Sequence, residues 1–126
     1  MPIVVALSER DVNVIVCELE GKWEWAELYQ ATAQAESLMR AVASRWGIIV
    51  DLSNSAQLPS SVIAQFRRLA AIDYQPIHLI VLVSTTVYVE TLCAMFASMY
   101  KRLGVKYRLV ATRDEAYALI RRERDA

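Results

Sequence analysis

Apolar positions change period several times along the chain, and the changes mark its elements. Ile3 to Leu7 is a short apolar run, broken by the polar Ser8-Glu9-Arg10-Asp11. Val12 to Leu19 alternates, with Val12, Val14 and Val16 set against Asn13, Ile15 and Cys17. Both segments read as strands joined by a hairpin, and Gly21 ends the second. From residue 24 to 45 the period lengthens. Trp25, Leu28, Thr32, Ala35, Met39 and Val42 recur at three- and four-residue steps, the single buried stripe of a helix.

Ile48-Ile49-Val50 is then continuous up to Asp51, as suits a parallel strand covered on both faces. Ser53-Asn54-Ser55 is loop chemistry. Pro59 suits the first turn of a second helix, where its missing N–H costs nothing. Val62, Phe66, Leu69 and Ala70 are that helix's buried face, and Pro76 stops it. Leu79 to Val83 is another buried strand. Ser84-Thr85-Thr86 begins a third helix, with Val89, Leu92, Cys93, Phe96, Tyr100 and Leu103 as its stripe and Gly104 as its stop. Val105 to Val110 is a strand. Thr112-Arg113-Asp114-Glu115 has the capping-box pattern, and Ala116, Leu119 and Ile120 are the buried face of the last helix. The order ββαβαβαβα predicts one α/β domain over residues 1–126. Its five-stranded sheet is mostly parallel, with one antiparallel edge strand.

Composition narrows the function. A chain of 126 residues is the size of one domain. The 14 Lys and Arg balance the 14 Asp and Glu, which removes the electrostatic case for nucleic acid. No apolar run approaches the ~20 residues of a membrane span. Met1 to Leu7 lacks the basic start of a signal peptide, so the expected location is the cytoplasm. Cys17 and Cys93 lie in apolar stretches and read as buried, reduced thiols, the alternative being a disulfide or redox role. Two Cys and one His are too few and too scattered for zinc. His78 has neither nucleophile nor orienting acid near it in sequence. With no Gly-rich phosphate loop and no nucleophile elbow, the expectation is a non-enzyme without cofactor, metal or catalytic residue. The neutral total conceals a split. Residues 1–63 hold 8 acidic and 4 basic groups, and residues 64–126 hold 6 and 10. That asymmetry could steer a partner or a second copy.

Ligands of parallel sheets bind beyond the C-terminal strand ends. This selects Asp51 to Ser61, Ser84 to Thr86 and Ala111 to Asp114. The first stretch holds Asp51, Ser53, Ser55, Ser60 and Ser61. It reads either as a phosphate or phosphorylation site at a helix start, or as a polar loop whose serines cap that helix. Trp23, Trp25 and Trp46 read either as core or as the lining of an apolar pocket. Trp25 fits the buried stripe, which leaves Trp23 as the better candidate for exposure. Tyr88, Met95 and Met99 form a second stripe on the third helix. That stripe is covered by a neighbouring helix, or else it is a homodimer surface or partner groove.

Ile48-Ile49-Val50-Asp51-Leu52-Ser53, followed by Leu58-Pro59-Ser60-Ser61-Val62, resembles the central motif of STAS domains, the anti-sigma-factor-antagonist (SpoIIAA-like) family. The element order resembles that family across nearly the whole chain. The Trp23-Glu24-Trp25 stretch is more similar to its uncharacterised STAS/SEC14-type relatives. The resemblance implies a SpoIIAA-like fold and a regulatory protein-interaction module, switched at the Ser53 to Ser61 loop. It maps the family's phosphorylated serine onto Ser60. Pro59 and Val62 stand where the family has the Asp and Gly that flank its serine pair. The SEC14-type likeness implies the alternative, a small-molecule or lipid-binding domain with an apolar pocket.

Overall fold

The computed structural model describes residues 2–42, 44–55, 60–61, 64–65, 68, 77–87, 89–91 and 106–125. Among these, the elements are β1 (Ile3–Leu7), β2 (Val14–Gly21), α1 (Trp25–Arg40), β3 (Trp46–Ser55), β4 (Ile77–Val83), β5 (Lys106–Val110) and α2 (Arg113–Asp125). Residues 64, 65, 68, 87 and 89–91 are helical. Ser60 and Ser61, expected in the first turn of the second helix, are not helical, with Ser61 at φ 66°; the rest of the two expected middle helices lies outside the described residues, including Pro59, Phe66, Cys93 and the Tyr88, Met95, Met99 stripe.

The strands form one sheet in the order β1-β2-β3-β4-β5. β1 and β2 pair antiparallel, from Ile3 opposite Leu19 to Leu7 opposite Ile15. The other pairs are parallel, with Val16 beside Ile49, Ile49 beside Val81 and Val81 beside Arg108. This is the α/β architecture expected from the order of apolar runs, with its antiparallel strand at one edge.

Side chains of a strand alternate between faces, and here both faces are covered. Ile15, Cys17, Leu19, Ile48, Leu52 and Leu82 join Trp23, Trp25, Ala31, Ala35 and Met39 in one core under α1. Val14, Val16, Ile49, Leu79, Val81 and Val83 join Ala116, Tyr117 and Ile120 in a second core under α2. The alternation of β2 therefore separates two cores, and does not separate core from solvent.

Three boundaries differ from expectation. Val12 is 73% exposed and precedes β2, because Asn13 turns the hairpin in the left-handed region at φ 56°. Asn tolerates that conformation better than most residues, and its Nδ2 donates to Ser44 Oγ at 2.8 Å. α1 ends at Arg40, and Val42 is 50% exposed. No local breaker stops this helix. Trp46 opens β3, is buried, and donates its indole N–H to the Val42 carbonyl at 3.3 Å. β3 runs on through Ser55, because β2 continues beside it to Gly21 and supplies ladder partners.

α2 is tied to the β1–β2 turn by polar contacts. Ser8 Oγ and the Tyr117 hydroxyl lie 2.7 Å apart. The Arg10 guanidinium sits 4.5 Å from the Tyr117 ring centroid and pairs with Asp114. Asp11 takes Arg121 at 2.7 Å. Of these pairs, Asp11–Arg121 joins an acid of the first half to a base of the second.

Gly47 faces the α2 side, and a Cβ there would lie 2.8 Å from Ile120 Cγ2. Ile120 is fully buried and β-branched, so it has little freedom to yield. Gly47→Ala should lower stability by about 1–3 kcal/mol. In chemical denaturation, adding Ile120→Val should recover part of that loss.

Candidate functional site

The C-terminal end of β3 serves both faces of the sheet with consecutive residues. Asp51 points to the α2 side and Leu52 to the α1 side. Glu18 pairs with Asp51 and Glu20 with Asn54, so β3 carries one extra residue between them. Such a bulge leaves a residue out of the ladder and re-aims its neighbours. The Asp51 carboxylate accepts the Ser53 N–H at 2.9 Å and the Arg113 Nε–H at 2.5 Å. The other arm of Arg113 pairs with Glu18.

Asp51 is buried, and burial works to raise its pKa. Hydrogen bonds from the Ser53 hydroxyl and amide, together with Arg113, outweigh that effect and hold the carboxyl below its ordinary value. Asp51 is thus a fixed anchor between β2, β3 and α2.

The candidate serines separate. Ser53 lies on β3, and is exposed, where a loop was expected. Ser60 and Ser61 are also exposed, and Ser61 has φ 66°. Ser84 is buried and accepts the Thr86 N–H at 3.2 Å, and Thr86 Oγ1 accepts the Val89 N–H at 3.4 Å. Those two residues cap the helix after β4. Thr112 Oγ1 accepts the Glu115 N–H at 3.2 Å, which is one half of the expected capping box, while the Glu115 carboxylate accepts the Thr112 hydroxyl at 3.2 Å.

Trp23 corrects the sequence reading most clearly, for it is 4% exposed. Its ring meets Trp25 edge-on, with centroids 5.0 Å apart and planes at 82°. Its indole N–H donates to Ser55 Oγ at 2.9 Å, and that of Trp25 donates to the Ser60 carbonyl at 2.7 Å. Each ring buries its apolar body and satisfies its single donor.

Between α1 and the sheet lies a cavity of about 400 Å³. Trp23, Ala31, Ala35, Ile48, Leu52 and Leu82 represent its apolar wall, and Cys17 and Tyr107 also face it. Trp23, named as a candidate pocket residue, lies at this wall. Trp25 stands behind it, outside the wall, and Trp46 belongs to the core alone. Polar groups at the wall are already engaged. The Thr32 hydroxyl donates to the Tyr29 carbonyl at 2.7 Å, the Tyr29 hydroxyl to Gln65 Oε1 at 2.6 Å, and Glu36 holds Arg40 at 2.7 Å. Burial pushes both the Cys17 thiol and the Tyr107 hydroxyl up to about 12, so both stay neutral. Among the described residues no buried side-chain nitrogen or oxygen lacks a partner, and no cluster of three or more His, Cys, Asp or Glu could hold a metal.

Sequence reasoning missed Glu18 and the alanines as site residues, and held Arg113 only as part of the Ala111 to Asp114 stretch. Ala31, Ala33 and Ala35 were the available signal, because small residues near a helix's buried stripe leave space beneath it. For the charged anchor the outcome can be stated in solution terms. Asp51→Asn should cost roughly 2 kcal/mol at pH 7, the scale of a charged hydrogen bond. A depressed folded pKa stabilises above the unfolded value of about 3.9 and loses that effect as pH falls through the folded value. The gap between wild type and variant should therefore close below about pH 4 in pH-dependent urea unfolding.

No protein-family model matches the sequence, and no curated protein matches it. Among the described residues no helix is long and apolar enough to cross a membrane. A solved structure is similar: an uncharacterised protein of the DUF3478 family with a SpoIIAA-like fold, from Shewanella loihica PV-4. The two superpose with a TM-score of 0.66 at 12% identity, covering 93% of this chain and 90% of that one. The fold of this chain is therefore SpoIIAA-like, as the Asp51-Leu52-Ser53 stretch and the element order implied.

Proposed function

We propose that this chain is a non-enzymatic binding module whose ligand is a small, uncharged, apolar molecule held between α1 and the sheet. The cavity carries this reading. Its volume of about 400 Å³ lies in the range of natural small-molecule sites, roughly 300–1,000 Å³. Among the described residues apolar side chains dominate its wall, and the polar atoms of Trp23, Tyr29, Thr32 and Glu36 bond to the protein itself. A charged ligand group would be buried without an opposite charge, which is costly. Among the described residues of the wall, the one ionised side chain, Glu36, is partly exposed and already paired with Arg40.

A second reading follows the STAS resemblance, in which the C-terminal end of the sheet docks a protein partner or another copy of the chain. Ser53, Thr85, Thr86 and Val87 are exposed there, and Val87 is 74% exposed. An exposed Val among hydroxyl side chains suits a modest protein contact.

The neutral fluorophore N-phenyl-1-naphthylamine tests the first reading. It should bind saturably, one per chain, with Kd on the order of 10 μM. Ala35→Leu, which puts side-chain volume into the cavity, should weaken binding at least tenfold while leaving the circular dichroism unchanged. Absence of saturable binding, or equal binding by the folded variant, removes the proposal.

A further inference from the structure

The cavity wall and the serine-bearing end of the sheet are joined by three aromatic side chains from one short stretch. Trp23 lines the cavity and donates to Ser55 Oγ at 2.9 Å. Trp25 packs edge-on against Trp23 and donates to the Ser60 carbonyl at 2.7 Å. Tyr29 lines the cavity and donates to Gln65 Oε1 at 2.6 Å. We propose that occupancy of the cavity is coupled, through Trp23, Trp25 and Tyr29, to the conformation of the exposed serines at positions 60 and 61. The inference rests on the binding reading above and adds its regulation.

The physical basis is differential binding. A ligand shifts an equilibrium only as far as it prefers one state. An apolar ligand packs on Trp23 and Tyr29 only when those rings sit in the wall. Their seated positions are the ones that reach Ser55 and Gln65, so filling the cavity favours the bonded arrangement. The Ser60-Ser61 backbone gives the coupling something to act on. Ser61 is held at φ 66°, a region that a non-glycine residue occupies only when its surroundings enforce it. Two restraints flank it, the Trp25 indole on the Ser60 carbonyl and the Gln65 N–H on the Ser61 carbonyl at 3.0 Å. Loss of the first would free this backbone to relax. Linkage then runs both ways. A modification or partner that distorts Ser60-Ser61 weakens ligand binding, and a bound ligand opposes the distortion.

Ser55→Ala and Trp25→Phe cut the connection without altering the residues that line the cavity. Each should keep the fold, checked by circular dichroism and thermal melting, and each should bind N-phenyl-1-naphthylamine about fivefold or more weakly. In wild type the probe should slow hydrogen exchange of the Gln65 amide, measured by NMR. In Trp25→Phe it should not. Saturable binding by wild type with unchanged Gln65 exchange, and with wild-type affinity in both variants, would overturn the coupling and leave the binding reading standing. If wild type fails to bind the probe, both readings fall together. If Trp25→Phe does not fold, the Ser55→Ala affinity and wild-type Gln65 exchange decide the matter alone.

Discussion

The structure depends on three neighbouring strands, β2 to β4, that must be dry on both faces. Consecutive residues of these strands enter different cores, so the two helical layers are set independently. On the α2 side the layers meet closely. Gly47 lets Ile120 approach to a distance that even one methyl group would violate. On the α1 side the helix presents Ala31 and Ala35 to the sheet, and the space a larger side chain would fill stays open. Close packing on one face and a cavity on the other follow from residue size at a few positions.

Polar chemistry at the end of the sheet divides in the same way. Facing α2, Asp51, Arg113 and Glu18 form a charged network that ties the C-terminal helix to β2 and β3. The burial of Asp51 and its engaged oxygens suit an anchor. Facing α1, neutral hydrogen bonds from Trp23, Trp25 and Tyr29 connect the cavity wall to residues 55, 60 and 65. These bonds carry no net charge, and each rests on a ring whose position depends on apolar packing. A contact of that kind responds to what fills the space beside it.

Hydrophobic periodicity and chain punctuation determined the element order, the parallel character of the sheet, the antiparallel edge strand and the capping of the last helix. Those features are local, or follow from alternation along a strand, so residue spacing suffices to read them. The Asp51-Leu52-Ser53 resemblance also led to the right fold. Tertiary structure alone decided the rest. It buried Trp23 by giving its indole a partner 32 residues away at Ser55. It placed Ser53 on a strand because β2 continued beside it. It joined Arg113 to Asp51 across 62 positions, pairing an acid of the first half with a base of the second. The cavity belongs to the same class. A space between layers is set by how two distant surfaces meet, and no periodicity within either surface records it.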